Sequence, residues 1–372
     1  MVDAAKQALL DQMEKLGNPS SLHMFGRATR KDVEEAREAI ARAIESRPSE
    51  VIFTASGTEA NNIALKGLYW LRANHERKVL VISAIEHHAI FDPAHWLGDA
   101  EGAEVIKIPV LPSGVIDLAF LQNLVEARGK EITVISVMHA NNETGTIQPI
   151  SEVVRIASAS QIPVHCDAVQ SFGKVPLSFK DLGVTALTLS AHKIGGPLGI
   201  GALVLQHGLE IPSLIHGGGQ EREIRSGTLN APSITAFAAA ATDSLSKLEE
   251  RGRYLRQLRE QFIAGAKRAI PDLIVNGSGE QLPGIVNLTF PGTESDTLLL
   301  LFDAAGVACS TGSACSAGVH EPSHVLMAMG HSQVSAQSSL RFSLSYRNTE
   351  SEIAHVISLF PEVIAKARAA NL

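Results

Sequence analysis

The sequence is poor in cysteine, in aromatic residues and in long apolar runs. It has 372 residues but only 3 cysteines, too few for a disulfide framework, so we expect a cytoplasmic protein in a reducing compartment. No apolar run reaches the length of a membrane span. The amino terminus also lacks the charged and short apolar stretches of a signal peptide. We therefore expect neither a disulfide-rich secreted domain nor a membrane protein.

Charge of one sign is not in large excess either. The net charge is −7 with both signs interspersed, which disfavours nucleic acid or an acidic membrane as the main partner. Aromatic residues make up 5% of the chain, and Ala, Val, Ile and Leu supply most of the 45% that is hydrophobic. This composition suits buried parallel strands covered by helices, in a chain long enough for one large core and a smaller second one.

Short apolar runs alternate with helical patterns over the first two thirds of the chain. The runs predict strands at 51–53, 79–83, 105–108, 132–137, 164–165, 186–189 and 201–205. The patterns between them predict helices at 59–72, 88–97, 118–127 and 150–158. This alternation favours an α/β fold, in which a large domain holds a mostly parallel seven-stranded sheet flanked by helices.

The last third of the chain has a different pattern. Asn230-Ala231-Pro232-Ser233 predicts a helix start, and 234–268 reads as a long helical segment that becomes increasingly charged. Beyond it we predict strands at 284–290 and 340–344 and helices near 296–303 and 350–369. We therefore place the large domain at residues 1–250 and a smaller α+β carboxyl-terminal domain at 251–372.

A lysine lies where a predicted strand ends. Ser190-Ala191-His192-Lys193 follows the apolar run 184–189 and precedes the glycine-rich turn Ile194-Gly195-Gly196-Pro197. A lysine amine can form a Schiff base, and pyridoxal 5'-phosphate (PLP) needs that anchor. An isolated lysine in such a place is more often a surface side chain, so the covalent interpretation depends on the residues that accompany it.

An aspartate follows the preceding predicted strand, in His165-Cys166-Asp167-Ala168-Val169-Gln170. Asp167 could pair with a pyridinium nitrogen and keep the ring electron-poor, although an aspartate at a strand end is often only a cap or turn residue. The ends of strands in an open α/β sheet converge on one crevice. We therefore expect Asp167 and Lys193 to face the same site.

A series of short motifs extends this pattern over nearly the whole chain. In order they are Ser56-Gly57-Thr58-Glu59-Ala60-Asn61-Asn62, Glu86-His87-His88-Ala89, Asn141-Asn142-Glu143-Thr144-Gly145, 165–171, 190–193, Arg225-Ser226-Gly227-Thr228, Ser310-Thr311-Gly312-Ser313-Ala314-Cys315 and Ser338-Ser339-Leu340-Arg341. Each is a weak pattern alone, but the ordered set resembles a cysteine desulfurase, of the class V aminotransferase group of fold-type I PLP enzymes. The resemblance implies the PLP transferase fold type I and PLP as cofactor.

The turn at Ser56-Gly57-Thr58 is a candidate phosphate site. Backbone N–H groups at a helix start favour an anion, and Thr58 can add a hydroxyl. An ordinary Thr N-cap with Gly57 in the turn explains the same residues. The candidate Schiff-base residue Lys193 favours the interpretation as a phosphate site over that as an ordinary N-cap.

The resemblance adds three residues to the phosphate site. Ser190 and His192 come from the strand end that carries Lys193. Thr228 is expected to reach over from a neighbouring subunit, which implies a homodimer whose sites are completed in trans.

Two further residues are expected to hold the cofactor ring. His87 resembles the family's histidine that stacks on the pyridine, whereas a histidine after a strand is otherwise a partly exposed polar residue. Gln170 would hold the phenolic oxygen of the ring, or else it is a loop glutamine bonded to backbone.

Arg341 and Asn142 are the candidates for binding the substrate. A guanidinium on a short apolar strand could grip an α-carboxylate bidentately, and a salt bridge is the alternative. Asn142 would contact the same carboxylate or the cofactor oxygen, and otherwise Asn-Asn reads as a plain turn. The match to the family motifs favours the interpretation that Arg341 and Asn142 bind the substrate, L-cysteine.

Cys315 is the candidate nucleophile, in a loop of the predicted small domain. Its neighbours are small, whereas a structural cysteine normally lies among larger apolar residues. Cys309, Cys315, His320 and His324 also resemble a loose zinc set, but the wide spacing of the cysteines and the flexible Ser-Gly content disfavour it, and we expect no metal. Cys309 reads as a small core residue or an auxiliary thiol, and Cys166 as a packing residue.

These residues together predict conversion of L-cysteine to L-alanine. Lys193 would act as the base at the α-carbon with help from His87, and Cys315 would take the sulfur as a persulfide. Acceptor proteins, such as an iron–sulfur scaffold or a tRNA thiolation system, would remove it. The alternatives are a selenocysteine lyase, another aminotransferase or lyase on this scaffold, and a non-catalytic sulfur-transfer scaffold.

The amino terminus departs from the family pattern. The family usually opens with an Asp-Asn-Ala-Ala-like run before the first helix, whereas this chain begins at Met1-Val2-Asp3 and soon reaches Asn18-Pro19-Ser20-Ser21. We expect that opening segment, which normally helps to pack the small domain, to be absent.

Overall fold

The fold comes from a computed structural model that describes residues 1–312 and 321–371. They pack as two compact units. The first contains Met1–Ile108, Leu118–His139 and Pro149–Leu248, and the second contains Pro109–Asp117, Ala140–Gln148 and the described part of Glu249–Leu372. The boundary between a large domain at 1–250 and a small domain at 251–372 stays a prediction.

A seven-stranded sheet forms the centre of the first unit. Its strands are β1 (Val51–Thr54), β2 (Val79–Ser83), β3 (Glu104–Ile108), β4 (Ile132–Ser136), β5 (Val164–Asp167), β6 (Ala186–Ser190) and β7 (Gly201–Leu205). They lie in the order β1-β7-β6-β5-β4-β2-β3. Only the pairs of β7 with β1 and with β6 are antiparallel, so the predicted α/β fold with a mostly parallel seven-stranded sheet is confirmed.

Helices flank this sheet and bury its apolar strands. They are α1 (Asp3–Met13), α2 (Met24–Ala43), α3 (Gly57–Arg72), α4 (His88–Glu101), α5 (Leu118–Arg128), α6 (Ile150–Ser158), α7 (Phe179–Leu182) and α8 (Ala231–Ser246). One core cluster joins Ile52, Leu80 and Leu203 of the strands to Leu65 and Leu68 of α3. Because β2, β4, β6 and β7 are buried along their whole length, they read in the sequence as continuous apolar runs.

The long segment predicted to be helical over 234–268 is helical except at one residue, Lys247. Two helices cover this region, α8 and α9 (Leu248–Ala269), and the break is at Lys247, whose φ of −120° is not helical. The predicted start is correct, since the Asn230 side chain accepts a hydrogen bond from the Ser233 N–H and caps α8. A one-residue break leaves the apolar and charged pattern nearly unchanged, so periodicity did not reveal it.

The second unit has a three-stranded antiparallel sheet, in the order β10-β9-β8. Its strands are β8 (Ile274–Asn276), β9 (Ile285–Thr289) and β10 (Ser339–Ser343), and its helices besides α9 are α10 (Ser295–Ala304), α11 (His324–Ala328), α12 (Gln333–Ala336) and α13 (Glu350–Ala370). Phenylalanines from several of these elements pack tilted or edge to face in its core, with the rings of Phe262 and Phe342 5.1 Å apart.

Two short segments of the first 150 residues belong to this second unit. The Ile147 N–H donates to the Glu280 carbonyl at 2.9 Å, and the Leu282 N–H donates to the Gly145 carbonyl at 2.8 Å. The Ser278 N–H likewise donates to the Ser113 carbonyl at 3.0 Å. These bonds assign Asn142 and its neighbours to the unit that contains Arg341. Among the described residues, no helix is both long and apolar enough to span a membrane.

Candidate functional site

Two neighbouring strand ends form the centre of the candidate site in the first unit. Strands β5 and β6 pair in parallel, with Asp167 opposite Thr188. Asp167 therefore ends its strand beside the end of β6, where a short turn at His192–Ile194 carries Lys193. The expectation that these strand ends meet at one edge of the sheet is borne out by this pairing.

The Asp167 carboxylate is buried, with 6% of the residue exposed. Its Oδ2 accepts a hydrogen bond from Asn61 Nδ2 at 2.7 Å, and its Oδ1 accepts one from the Val169 N–H at 2.9 Å. Burial raises the pKa of Asp167, against the opposing effects of these hydrogen bonds and of the charges of His87 and Lys193. A pyridinium N–H would offset the cost of burying this charge, so the residue fits the ring nitrogen of PLP.

His87 lies at the start of α4 and Lys193 in the turn after β6, and both are exposed. The His87 Nδ1 accepts a hydrogen bond from the Ala89 N–H at 3.0 Å, which holds the ring as the N-cap of α4. Desolvation lowers the pKa of His87, with the positive charges of His88 and Lys193 adding to the effect and the charge of Asp167 opposing it. The ring is therefore favoured in its neutral form, which suits stacking on a pyridine.

The candidate phosphate cradle is built at the start of α3. The Ser56 hydroxyl caps the helix by accepting from the Glu59 N–H at 3.0 Å, so the alternative in which Thr58 is the N-cap is wrong. Gly57 and Thr58 take the first two helical positions, whose N–H groups have no acceptor within a helix. A Cβ at Gly57 would lie 2.9 Å from Val169 Cγ2, so any side chain there would crowd the cradle.

Ser190 and His192 lie beside this helix start. A Cβ at Gly57 would be 3.4 Å from the Ser190 Cβ, and the Ser190 Oγ is 2.8 Å from the His192 Nδ1. Hydroxyl, imidazole and helix N–H groups therefore surround one small volume. This donor set fits a phosphate.

Thr228 is exposed and follows a loop that is anchored to its own subunit. The buried Glu221 carboxylate pairs with Arg37 at 2.7 Å and accepts a hydrogen bond from the Phe53 N–H at 2.7 Å. Arg225 pairs with Glu59 at 2.9 Å, in the first turn of α3. The loop is thus held at two points by residues of its own chain. The role of Thr228 at the phosphate site of a partner subunit stays a prediction.

Gln170 is half-buried, and its Oε1 accepts a hydrogen bond from Lys174 Nζ at 3.0 Å. The partner of the Gln170 oxygen is therefore the side chain of Lys174, whereas the alternative predicted a backbone partner. With the oxygen so engaged, the amide NH₂ is the group with which Gln170 would donate to a phenolic oxygen.

In the second unit, β10 and the turn at 141–144 bring Arg341 and Asn142 together. The Arg341 Nη1 donates to the backbone carbonyl of Asn142 at 3.1 Å. Arg341 is half-buried, and its buried Nε has no hydrogen-bond partner among the described residues. Burial lowers the pKa of Arg341 and the charge of Glu143 raises it. A substrate carboxylate would supply an acceptor for the Nε–H group of Arg341.

The predicted nucleophile Cys315 and the alternative zinc ligand His320 lie outside the described residues. The other two cysteines are poor thiolates. Cys166 is fully buried and desolvation raises its pKa well above the ordinary value, while desolvation raises the pKa of the half-buried Cys309 to about 11. Neither of the two described cysteines is therefore suited to act as a thiolate nucleophile at neutral pH.

Sequence reasoning gave no role to two buried polar residues, Asn61 in the first unit and Glu143 in the second. Asn61 belongs to the motif at 56–62, but only the fold brings its side chain to Asp167, which lies 106 positions later in the chain. A signal was present, since Asn61 lies on the apolar face of α3 with Ala64, Leu65 and Leu68. Glu143, in the motif at 141–145, is also buried.

Comparison with known proteins gives consistent matches over the whole chain. Residues 2–356 match the family model described as aminotransferase class-V. The chain is 44% identical to an IscS-like cysteine desulfurase of Mycobacterium tuberculosis, over 100% of this chain and 95% of that protein. It is 39% identical to the cysteine desulfurase NifS of Azotobacter vinelandii, over 98% of this chain and 90% of that protein.

Solved structures agree with these sequence matches. A NifS-like protein superimposes with a TM-score of 0.90 and 34% identity, covering 98% of this chain and 96% of the other. A NifS-like protein from Rickettsia africae gives a TM-score of 0.88 and 32% identity over the same shares. The predicted PLP transferase fold type I is therefore confirmed.

Proposed function

Because the chain belongs to the class-V aminotransferase family and, within it, to the cysteine desulfurases, we propose that it is a PLP-dependent enzyme that converts L-cysteine to L-alanine. The observation that carries the proposal is the strand-end pair. In a chain 44% identical over its full length to a cysteine desulfurase-like protein, the buried carboxylate of Asp167 ends the strand next to the one that leads into Lys193.

We propose that PLP is held by residues of the first unit. When bound, it supplies an electron sink for charge that develops at the substrate α-carbon. The Lys193 amine anchors it covalently, Asp167 pairs with the ring nitrogen and Gln170 donates to the phenolic oxygen. The neutral ring of His87 covers one face, and the lowered pKa of His87 supports that role.

The phosphate group is assigned to the cradle at the start of α3. The N–H groups of Gly57 and Thr58 donate to it, and the side chains of Thr58, Ser190 and His192 add further donors. Thr228 of a partner subunit completes this set in a homodimer. The exposure of Thr228, on a loop tied to its own subunit by Glu221, supports a role toward a second chain.

L-cysteine is held by its carboxylate and loses a proton to a lysine. Arg341 binds the α-carboxylate, and Asn142 lies beside the guanidinium that does so. The Lys193 amine would take the proton from the α-carbon of the substrate, and His87 would assist in proton movements. Lys193 is suited to both tasks because a neutral amine is a nucleophile and a base.

Cys315 is the sulfur acceptor. Its thiolate attacks the sulfur of the substrate, the bond between that sulfur and the β-carbon breaks, and a persulfide remains on Cys315. The β-carbon keeps the electron pair of the broken bond and takes up a proton, so the product is alanine. The sulfur is oxidised and the β-carbon is reduced in the same step, so no external oxidant is needed.

The sulfur then leaves for an acceptor protein. We propose an iron–sulfur scaffold or a tRNA thiolation system in the cytoplasm as the destination, because a persulfide is chemically a carrier of sulfur rather than an end product. The net charge of −7 supports protein acceptors over direct binding of nucleic acid.

The direct test incubates the PLP-loaded protein with L-cysteine and follows alanine, sulfide and intact mass together. We expect alanine release and one added sulfur atom per chain. Cys315→Ala should keep the absorbance of the lysine-bound cofactor and lose the added sulfur. Cys309→Ala is the matched control and should keep both, because its raised pKa makes it a poor nucleophile. Persulfide formation that persists in Cys315→Ala would remove that residue from its role.

A further inference from the structure

Glu143 is a buried acid that none of the steps above uses. It is 2% exposed, and the turn that contains it is held by Asn141, whose Oδ1 accepts from the N–H groups of Glu143 and Thr144, both at 2.9 Å. The Ser323 hydroxyl donates to Glu143 Oε2 at 2.5 Å. Ser323 is also the N-cap of α11, where it accepts from the Leu326 N–H at 3.2 Å.

Gly312 packs against the same carboxylate oxygen. A Cβ at this position would lie 2.6 Å from Glu143 Oε2, so the backbone of Gly312 approaches the acid more closely than any other residue type could. The φ of Gly312 is +90°, which also requires glycine. The Glu143 oxygen that accepts from Ser323 therefore also lies close to Gly312, and these two described residues flank the segment 313–320, which contains Cys315.

The same acid is next to the residues that we assign to the substrate carboxylate. Asn142 precedes it in the chain and accepts from Arg341, and the charge of Glu143 acts on that guanidinium. Ser310 pairs with Arg341 through two backbone hydrogen bonds, and its hydroxyl accepts from the Gly312 N–H at 3.4 Å. The flank of the cysteine segment and the candidate carboxylate-binding residue are thus parts of one hydrogen-bonded group.

We propose that Glu143 is a positioning residue that holds the two flanks of the Cys315 segment, Gly312 and Ser323, at a set distance from each other and from Arg341. The inference rests on the proposed function. Because residues 312 and 323 flank Cys315 in the chain, fixing their distance from Arg341 sets an upper limit on the distance between the Cys315 thiol and a substrate carboxylate bound by Arg341. Loss of the hydrogen bond between Ser323 and Glu143 should lower the rate of sulfur transfer and leave the binding of the cofactor unchanged.

The test measures persulfide formation in a single turnover of the PLP-loaded enzyme by rapid quench and intact mass. We expect Ser323→Ala to slow this step by about tenfold to 100-fold, because displacements of about 1 Å have effects of that size. The KM for L-cysteine and the absorbance of the bound cofactor should stay unchanged. Ser323→Thr keeps a hydroxyl and should restore most of the rate.

Ser332→Ala is the matched control. Ser332 caps the neighbouring short helix α12 by accepting from the Ser335 N–H at 3.2 Å, whereas the hydrogen bond to Glu143 comes from Ser323. The two alanine variants lose the same kind of cap, so a slower transfer in Ser323→Ala alone measures the bond to Glu143. Equal slowing in both variants would overturn the proposal.

Substitution of the acid itself separates its hydrogen bond from its charge. Glu143→Gln retains an oxygen that can accept from Ser323 and should keep most of the rate, whereas Glu143→Ala should lose it. Equal loss in both would overturn the positioning role. The proposed function fails if the wild type forms no persulfide with L-cysteine, while the inference alone fails if the wild type forms it and Ser323→Ala forms it equally fast.

Discussion

Asp167 in the first unit and Arg341 in the second unit are two candidate ligand-binding residues whose charge is withdrawn from water. Burial raises the pKa of Asp167 and lowers the pKa of Arg341, and in each case it acts against the charged form. Such groups cost free energy unless an opposite charge approaches them. A pyridinium nitrogen would compensate Asp167 and an α-carboxylate would compensate Arg341, which is why both are read as ligand-binding residues.

We predict that Asp167→Asn stabilises the cofactor-free protein near neutral pH while it abolishes desulfurase activity. Because the folded-state pKa of Asp167 is raised, the folded protein binds more protons than the unfolded chain as the pH rises past the ordinary aspartate pKa. The contribution of Asp167 to the free energy of unfolding is therefore fully present below the ordinary aspartate pKa. It is lost as the pH rises toward the pKa that Asp167 has in the folded protein. An asparagine does not titrate and keeps an oxygen to accept from Val169 or Asn61.

Denaturant unfolding of cofactor-free wild type and Asp167→Asn across this pH range checks the prediction. The difference in free energy of unfolding should grow in favour of the variant as the pH rises. Asp99→Asn, an exposed position on α4, serves as the control and should leave the pH dependence unchanged. A variant that is less stable than wild type at every pH would contradict the prediction.

At the scale of elements, the antiparallel strand β7 shapes the phosphate cradle. It lies between β1 and β6, and its first residue, Gly201, pairs with Thr54 on one side and Ser190 on the other. A Cβ at Gly201 would lie 2.7 Å from the Ser56 carbonyl carbon and 2.9 Å from the Gly57 nitrogen. The turn that begins α3 can therefore approach the sheet only where this strand has no side chain.

We predict that Gly201→Ala weakens PLP binding by displacing the turn at Ser56 and Gly57. The added methyl would also lie 2.8 Å from the Leu189 carbonyl oxygen, and overpacking of this kind costs about 1–3 kcal/mol. Titration of the cofactor-free protein, followed by the absorbance of the lysine-bound form, measures the affinity.

Gly98→Ala in helix α4 is the matched control, because its Cβ would meet only ordinary contacts beginning at 3.4 Å. Its effect on stability should stay below about 1 kcal/mol and its PLP affinity should equal that of wild type. Wild-type affinity in Gly201→Ala would show that the close approach of the turn does not set the cradle.

At the scale of the whole molecule, the chain folds into two units, each with its own hydrophobic core. The chain passes between them several times, since 109–117 and 140–148 leave the first unit and pack in the second. The loop that ends in the exposed Thr228 belongs to the first unit and is tied there through Glu221 and Arg225. A homodimer that uses this loop in trans would link the two sites of the pair.

We predict that two inactive variants complement each other in a mixed dimer. Lys193→Ala lacks the covalent anchor and Thr228→Ala lacks the donor to the partner's phosphate. A heterodimer of the two contains one site with both residues intact only if Thr228 acts in trans. Random exchange of equal amounts should therefore restore about a quarter of the wild-type sites.

Alanine release after co-refolding of the two variants, with unmixed variants as controls, measures this recovery. Mixing without exchange should give no gain. No recovery after verified heterodimer formation would indicate that Thr228 acts within its own chain, and full activity of Thr228→Ala by itself would contradict any role at the phosphate.

Much of the fold was accessible from the amino-acid sequence. The strands β2 and β7 and the helix α6 were predicted with the bounds that the structure has, because buried parallel strands and amphipathic helices leave strong local patterns. The motif order led to PLP chemistry, and Asp167 and Lys193 could be assigned to strand ends without coordinates. The break at Lys247 and the short helices α7 and α12 were missed, because a few residues do not establish a period, whereas the helix start at His324 was predicted from the preceding Pro322.

The sequence by itself determined which residue types stand at the ends of the strands, since hydrophobic pattern and turn chemistry are local properties of the chain. Only the tertiary structure decided which distant residues meet there. Asn61 bonds to Asp167 across 106 residues, and Glu143 bonds to Ser323 across 180. Such contacts form when each unit packs around its own hydrophobic core. No local sequence pattern shows which partner a buried polar group will bind.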